Sequence, residues 1–226
     1  GRDEKNHRTH PRTRREEGGM SMFTGIVQGL AHVHSIEKGE AVWTFAIDLP
    51  NTAGLERGAS VAVNGVCLTA TEMDGDRVWF DVINETLERT NLSSVQEGDQ
   101  VNVERSLKMG DELGGHLLSG HIMGLGQLTQ RTEVGEGVDF TVEAPNSMMK
   151  YIHEKGYIGL NGASLTIGAV EGNRFFIHLI PETLRLTTFG TLSEGQHVNI
   201  EIDAMTQTIV ATVERMMKQE NPEGHA

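Results

Sequence analysis

The chain has 226 residues, including 27 glycines and one cysteine, and its formal net charge is −13 at pH 7. This acidity argues against sequence-independent nucleic-acid binding, which depends on lysine and arginine contacts to phosphates. One cysteine excludes an internal disulfide, and no apolar run approaches the roughly 20 residues that cross a bilayer. We therefore expect a soluble, cytoplasmic protein of two small domains that binds a small molecule.

Residues 1–21 differ from the rest of the chain because basic residues alternate there with acids and histidines, without apolar periodicity. This composition predicts a disordered leader. An RNA-binding tail is the alternative, but Asp3, Glu4, Glu16 and Glu17 dilute the positive charge. The folded protein is expected to begin at Met22.

The remainder of the chain is an internal repeat. VNGVCLT at 63–69 returns as LNGASLT at 160–166, and at the same offset ETL at 85–87 and VNVE at 101–104 return as ETL and VNIE. With a two-residue slip, TGIVQG at 24–29 aligns with SGHIMG at 119–124. The repeat predicts two similar domains, 22–118 and 119–203, followed by a helix and tail at 204–226.

Strand signals recur in both domains. Alternating or β-rich stretches lie at 42–49, 78–83, 139–143 and 174–180, and DGD at 74–76 and EGN at 171–173 are tight-turn signals. Short strands with many glycines suit small closed sheets. We predict an all-β fold of two tandem, similar, small antiparallel β-barrels with a C-terminal α-helix.

The helix is predicted over residues 204 to about 219 from an apolar stripe at helical spacing, Met205, Ile209, Thr212 or Val213, and Met216. The stripe has two candidate partners, a barrel of its own chain or other copies of the chain, and the sequence does not choose between them. Asp203 is placed to cap the helix N-terminus, which competes with a catalytic role.

The two copies differ at chemically reactive positions. A reactive group present in one copy only is a candidate for a task performed once, so the two equivalent pockets are expected to carry unlike groups and to bind a donor and an acceptor. The differing pairs are Cys67 and Ser164, Asp81 and His178, Ile26 and His121, and Ser106 and Asp203.

The junction GGHLLSGH at 114–121 carries two histidines. The interval from His116 to His121 does not match a zinc-ligand spacing, and no thiol cluster exists, so we expect no metal. Two interpretations remain open: the histidines satisfy backbone groups, or an imidazole that titrates near neutral pH meets a ligand lying against glycine backbone.

In order along the chain, MFTGIV, VNGVCLT, ETLERT, GDQVNVER, GGHLLSGH, LNGASLT, LIPETL and VNIEID resemble the riboflavin synthase family of the alpha-subunit type, from Met22 to about Arg215. The resemblance implies six-stranded, Greek-key-like barrels and no added cofactor. It implies that two molecules of 6,7-dimethyl-8-ribityllumazine exchange a four-carbon unit, giving riboflavin and 5-amino-6-(ribitylamino)uracil. It also implies a homotrimer with each site between the first barrel of one chain and the second barrel of its neighbour, and an association with lumazine synthase.

Carried over by matching motifs, the catalytic candidates are Ser60, Cys67, His121, Ser164, Thr166 and Asp203. We expect His121 to carry a proton, Cys67 and Ser60 to act as nucleophile or hydrogen-bonding pair on the acceptor, and the other three to orient the substrates.

The expected substrate-binding residues form segments matched between the two copies, together with one lysine implied to reach across a subunit interface. They are Gly25, Ile26, Val27, Cys67, Leu68, Thr69, Asp81, Val82, Ile83, Asn84, Glu85 and Thr86 in the first copy, and Gly120, His121, Ile122, Lys155, Ser164, Leu165, Thr166, His178, Leu179, Ile180, Pro181, Glu182, Thr183 and Leu184 in the second. Backbone amides of four of these segments, 25–27, 67–69, 120–122 and 164–166, are expected to read the pyrimidinedione edge. The segments 81–86 and 179–184 are expected to meet the ribityl chain.

Two non-catalytic alternatives are a lumazine- or flavin-binding antenna protein of the same fold and a structural β-barrel interaction protein. The antenna proteins depart from the synthase motifs at the junction and at reactive positions, whereas this chain keeps GGHLLSGH, Cys67 and Asp203. An interaction protein does not explain the uneven distribution of reactive groups.

Overall fold

A computed structural model describes residues 21–220. The predicted leader, residues 1–21, lies outside the described residues apart from Ser21. No helix in the described part of the chain is long and apolar enough to span a membrane, and the cytoplasmic location stays a prediction.

The first module, residues 22–118, contains a closed antiparallel barrel with the strand order β1-β2-β5-β4-β3-β6. The barrel interior is filled by every second side chain of a strand. Along β5, Val78, Phe80 and Val82 point inward and the residues between them point outward. A short helix α1 (Asn84–Arg89) and a 3₁₀ turn (Asn91–Ser94) lie between β5 and β6. The strands are β1 (Gly29–Lys38), β2 (Val42–Asp48), β3 (Ser60–Val63), β4 (Val66–Asp74), β5 (Arg77–Ile83) and β6 (Gln100–Arg105).

The second module, residues 119–203, repeats this plan with one difference. Its sheet has seven strands in the order β10-β9-β13-β7-β8-β12-β11. The edge strands β10 and β11 are consecutive in the chain and together replace β4. The strands are β7 (Gly124–Val134), β8 (Gly137–Glu143), β9 (Tyr157–Leu160), β10 (Ala163–Thr166), β11 (Val170–Glu171), β12 (Arg174–Leu179) and β13 (His197–Ile202), with helices α2 (Asn146–Met149) and α3 (Pro181–Leu186).

The interruption falls at residues 167–169. The Gly168 amide donates to the Phe176 carbonyl at 2.7 Å, and the Phe176 amide donates to the Ala169 carbonyl at 3.0 Å. These bonds curl the sheet back towards a barrel without a continuous ladder. The predicted all-β fold of two similar antiparallel modules and a C-terminal helix is confirmed, whereas the second module is a curled seven-stranded sheet and not a closed six-stranded barrel.

The predicted turns are present. β4 ends at Asp74 and β5 begins at Arg77, and β11 ends at Glu171 and β12 begins at Arg174. Gly75 and Gly172 both have φ +61°, the left-handed conformation that glycine adopts without strain.

A buried amide cluster joins the modules. Asn199 is fully buried, and its side-chain nitrogen donates to the Asn64 carbonyl and to the Asn91 side chain, each at 2.9 Å. The Asn91 amide in turn donates to Asn199 Oδ1 at 2.7 Å, and the Asn102 side chain donates to the Asn161 carbonyl at 2.9 Å. Because buried amides are costly when unpaired, this cluster fixes how the two modules sit together.

Helix α4 (Ala204–Glu220) follows β13. Asp203 caps it as predicted, since its carboxylate accepts from the Thr206 amide at 3.0 Å and from the Thr206 hydroxyl at 2.9 Å. A 2.7 Å ion pair between Glu214 and Lys150 ties the helix to its own chain. The apolar stripe faces away from that chain, with Met205, Ile209, Val213, Met216 and Met217 between 47% and 72% exposed.

Candidate functional site

The two modules exchange the segments that precede their first strands. Phe23 and Leu118 form an antiparallel bridge, with N–H to O distances of 2.8 and 2.9 Å. Beyond this bridge each chain segment passes to the opposite module, so Val27 packs in the second core and Ile122 in the first. We call residues 24–27 and 119–122 the crossing segments.

Each crossing segment touches the reactive position of the module it enters. The Cys67 amide donates to the Gly120 carbonyl at 3.0 Å, and the Ser164 amide donates to the Gly25 carbonyl at 2.8 Å. Both glycines have positive φ, and a Cβ on either one would lie about 2.5 Å from the facing Cβ (2.4 Å for Gly120 to Cys67, 2.5 Å for Gly25 to Ser164). Only glycine allows this approach, which explains why a glycine follows Thr24 in the first copy and Ser119 in the second.

The Cys67 half-site is a cavity of about 230 Å³ between the first module and the second crossing segment. It brings together six of the predicted residues, Cys67, Glu85, Thr86, Gly120, His121 and Ile122, with Val66, Arg89 and Thr90, which the sequence did not single out. Arg89 pairs with Glu85 at 3.2 Å, so α1 presents a charged pair at the rim.

The Cys67 thiol is half-buried beside two hydroxyls. Ser60 and Ser21 lie 2.6 Å apart, Oγ to Oγ. Burial raises the pKa of the Cys67 thiol, and hydrogen bonds with Ser60 and Ser21 oppose this increase. The thiol is therefore predominantly protonated at neutral pH and can act as a hydrogen-bond donor.

The Ser164 half-site differs in chemistry. His116 Nδ1 lies 2.6 Å from Ser164 Oγ, and the imidazole stacks on Tyr157 with a centroid distance of 5.2 Å. Its Nε2 is buried without a hydrogen-bond partner among the described residues. Burial lowers the pKa of His116, opposed by the charge of Asp203. A neutral imidazole therefore faces a serine here, where the first module has a thiol facing hydroxyls.

The repeat alignment makes this contrast systematic. Ser21 corresponds to His116 just as Thr24 corresponds to Ser119, so Cys67 is flanked by Ser21 and Ser164 by His116. His116 was named from the sequence but His121 was favoured, because nothing in the sequence indicates that residue 116 lies beside Ser164, 48 positions later.

A second contrast lies on the outer faces of β5 and β12. Thr44 donates to the Asp81 carboxylate at 2.7 Å in the first module. At the equivalent place in the second module, His178 Nδ1 lies 2.5 Å from Asp139 Oδ1. The carboxylate of the pair thus lies on β5 in the first module and on β8 in the second. Asp139 was not among the predicted residues.

The other candidates are distributed as follows. Thr166 is exposed two residues beyond Ser164 on β10, and Asp203 is close enough to influence His116. Ile83 and Ile180 are equivalent and both about half exposed, at 52% and 55%. Lys155 is exposed with φ +66°, and its partner across an interface stays a prediction.

Six of the twelve backbone amides predicted to read the pyrimidinedione edge are paired within the protein. The amides of Cys67 and Ser164 donate to the crossing segments. Those of Gly25, Ile26, Gly120 and His121 donate to side chains of the protein. These six residues would therefore meet a ligand through side chains or carbonyl groups, and use of the other amides in the four segments stays a prediction. The side chains of Val27, Leu68, Val82, Ile122 and Leu179 are buried in the barrel cores.

The duplicated antiparallel module, its crossed segments and its two equivalent reactive positions define the class of lumazine-binding repeat proteins. The family described as Lumazine binding domain matches residues 24–106 and 119–203. The chain belongs to the riboflavin synthase family, because it is 50% identical over 200 residues to riboflavin synthase of Escherichia coli (strain K12), covering 87% of this chain and 93% of that protein.

Further similar proteins agree with this assignment. Riboflavin synthase of Chlamydia pneumoniae is 42% identical over 201 residues, covering 87% of this chain and 97% of that protein. The crystal structure of LumP complexed with riboflavin has a TM-score of 0.75 and 30% identity, covering 80% of this chain and 99% of that chain. LumP complexed with 6,7-dimethyl-8-(1'-D-ribityl) lumazine has a TM-score of 0.73 and 29% identity, covering 79% of this chain and 98% of that chain.

Proposed function

We propose that the protein is a transferase that converts two molecules of 6,7-dimethyl-8-ribityllumazine into riboflavin and 5-amino-6-(ribitylamino)uracil, without an added cofactor. The observation that carries this proposal is the pair of equivalent half-sites with unlike reactive groups, Cys67 in one and Ser164 with His116 in the other. Two identical substrates can take different roles only if their surroundings differ, and this pair supplies the difference.

The reaction needs a proton removed from the 7-methyl group of one lumazine, activation of the other towards attack, and a later carbon–carbon cleavage with return of the proton. We assign proton transfer to His121, which is exposed at the rim of the Cys67 cavity. Cys67 and Ser60 would bind or attack the acceptor, and Ser164, Thr166 and Asp203 would orient the other ring. Holding two rings together supplies much of the rate acceleration by proximity.

The ribityl chains are assigned to the outer-face groups. Asp81 with Glu85 and Thr86 would accept and donate hydrogen bonds to one chain, and His178 with Glu182 and Thr183 to the other. The equivalent pairs of Asp81 with Thr44 and His178 with Asp139 support this assignment, because each holds a polar side chain in place on the outer face of a strand.

The direct test is incubation of the purified protein with 6,7-dimethyl-8-ribityllumazine alone, with no metal or nucleotide, while riboflavin formation is followed by absorbance. We expect riboflavin to appear at half the rate of lumazine loss. Saturable binding without product would contradict the proposal and would favour the antenna function. That alternative has less support, because the synthase relatives share up to 50% identity and LumP shares about 30%.

A homotrimer with each active site between the first module of one chain and the second module of its neighbour is part of the proposal. The exposed apolar stripe of α4 supports it, since exposed apolar surface of this kind marks a contact with another chain. Gel filtration with light scattering checks the mass, and a fully active monomer would contradict the shared site. Association with lumazine synthase is a further proposal, tested by co-elution of the two proteins.

We also propose that residues 22–118 and 119–203 are the two ligand-binding domains and that helix α4 serves assembly; the end of the predicted tail, residues 221–226, lies outside the described residues. Each domain would not be complete alone, because each half-site receives the crossing segment of the other.

A further inference from the structure

Two buried carboxylates lie under the crossing segments. Glu104 on β6 is 4% exposed and Glu201 on β13 is 5% exposed. Neither contacts a basic side chain within hydrogen-bonding distance among the described residues; their partners are groups of the crossing segments. Charged residues this deeply buried are rare without a specific role.

Glu201 holds the second crossing segment. It accepts hydrogen bonds from the Ser119 amide at 2.6 Å, the Ser119 hydroxyl at 2.9 Å and the Gly120 amide at 3.1 Å. The Ser119 hydroxyl also accepts from the His121 amide at 3.2 Å. The proton of the Ser119 hydroxyl is therefore directed to Glu201. The hydrogen bonds that run from Glu201 through Ser119 to the His121 amide hold the backbone of His121 in place.

Glu104 holds the first crossing segment in the same way. It accepts from the Thr24 amide and the Thr24 hydroxyl, each at 2.7 Å, and from the Gly25 amide at 3.0 Å. The Thr24 hydroxyl accepts from the Ile26 amide at 3.1 Å. The two networks are equivalent under the repeat, but they end on different residues, His121 in one case and Ile26 in the other.

We propose that Glu201 and Glu104 are positioning residues, each of which sets one half-site by pinning the crossing segment that covers it. Glu201 places Gly120 over Cys67 and His121 at the rim of that cavity. Glu104 places Gly25 over Ser164. The catalytic part of this proposal rests on the proposed function. The structural part, which carboxylate closes which half-site, is independent of it.

The equivalence of the networks makes each carboxylate the control for the other. Both are buried on matching strands and accept from the same kinds of group. A purely structural role predicts equal consequences at Cys67, whereas the positioning role predicts that only changes at Glu201 open the Cys67 half-site.

The single cysteine provides a readout independent of turnover. Iodoacetamide alkylates a thiolate with loss of iodide, and its rate reports access to Cys67. Measurements run from neutral to alkaline pH, and the limiting rate of the thiolate is compared, because the charge of Glu201 also contributes to raising the pKa of the Cys67 thiol. The limiting rate separates access from this electrostatic effect.

The variants are Glu201→Gln, Glu201→Asp, Glu104→Gln and Glu104→Asp. Aspartate keeps the charge but draws the oxygens back by about 1.5 Å, one carbon–carbon bond. We expect both Glu201 variants to raise the limiting alkylation rate at least about tenfold, since several charge-assisted hydrogen bonds are lost, and both Glu104 variants to change it less than about twofold. Equal rates in all four variants would overturn the proposal.

If a glutamine variant does not unfold cooperatively, the aspartate variant decides, and an unchanged rate in Glu201→Asp overturns the proposal. The catalytic arm measures kcat and the Kd for 6,7-dimethyl-8-ribityllumazine in the aspartate variants. We expect Glu201→Asp to lower kcat by a larger factor than it raises Kd, because it displaces His121. If the wild-type protein shows no turnover, the proposed function is contradicted, but the alkylation rates still test which carboxylate closes the Cys67 half-site.

Discussion

The imidazole of His116 lies against Ser164, with 2.6 Å between Nδ1 and Oγ, and its Nε2 is buried without a hydrogen-bond partner among the described residues. A buried nitrogen in this position tolerates the neutral ring and not the imidazolium ion, because the charged form would lose its hydration. The arrangement keeps the imidazole of His116 neutral and makes stability depend on pH.

Burial lowers the pKa of His116 below its ordinary value of 6.5. The unfolded chain then binds the proton more tightly than the folded protein does. The contribution of neutral His116 to stability is present above about pH 6.5 and is lost as the pH falls from there through the lowered folded pKa.

We therefore expect the free energy of unfolding, measured by urea denaturation between pH 5 and 7.5, to fall less steeply with acid in His116→Gln than in the wild type. His153→Gln is the matched control, because His153 is exposed. Identical pH slopes for the wild type and His116→Gln would show that His116 does not titrate differently on folding.

Substitution of Gly120 tests the crossing. A Cβ at Gly120 would lie 2.4 Å from the Cys67 Cβ, whereas one at Gly98 would meet nothing within 4 Å. Both glycines have φ near +80° to +90° (80° and 88°), so backbone strain is matched. We expect Gly120→Ala to lower the free energy of unfolding by about 1 to 3 kcal/mol more than Gly98→Ala does.

Turnover should separate the same two variants, with a strong loss in Gly120→Ala and little change in Gly98→Ala. Equal stability and equal turnover would contradict the close contact between the second crossing segment and Cys67.

The sequence predicted much of the fold because the strands and turns are encoded locally. The alternation of apolar and polar residues along β5 and the turn sequences around Gly75 and Gly172 are visible without a structure. The crossing was not predictable in this way. Val27 and Ile122 are apolar and would suit either core, so no local pattern reveals that each packs in the opposite module.

The same reasoning applies to the site. Comparing the copies identified Cys67 and Ser164 as unlike partners, but the contact of His116 with Ser164 joins residues 48 positions apart and leaves no local pattern in the sequence. Glu104 and Glu201 are identical in the two copies, and a comparison that looks for differences passes over them. The short helices α1 and α3 were missed because each has only six residues, less than two turns.

The amide cluster between the modules should dominate their relative placement. Asn199→Ala would leave the Asn91 amide and the Asn64 carbonyl without their present partner. We expect a loss of about 2 to 4 kcal/mol in the free energy of unfolding, since unpaired buried polar groups are costly. Asn51→Ala, an exposed turn position that accepts from the Ala53 amide, should cost about 1 kcal/mol or less. Similar losses in both variants would contradict a special role for the cluster.

Single substitutions at the reactive positions should slow catalysis without abolishing it. Cys67→Ser makes the two reactive positions alike, and His121→Ala removes the exposed imidazole at the cavity rim. Because proximity of two bound rings contributes independently of any one side chain, we expect kcat to fall by about 10 to 1,000-fold with a Kd for the lumazine within a few-fold of the wild type. Activity below detection in every single variant would contradict the importance of positioning, and unchanged kcat in both would remove these residues from the mechanism.

The exposed apolar stripe of α4 is the proposed contact between chains. Ile209 and Val213 are 56% and 47% exposed, and the ion pair of Glu214 with Lys150 connects the helix to its own chain through other atoms. A double substitution, Ile209→Asp with Val213→Asp, should therefore leave the fold of the modules intact, because it removes no contact with either core, while charge on the stripe opposes assembly. We expect light scattering to show monomers, circular dichroism to retain the β-sheet signal, and turnover to fall with the trimer. Gln207→Asp, on the opposite side of the helix, is the control and should keep both mass and turnover. A double variant that becomes monomeric and keeps full turnover would place the complete active site within one chain.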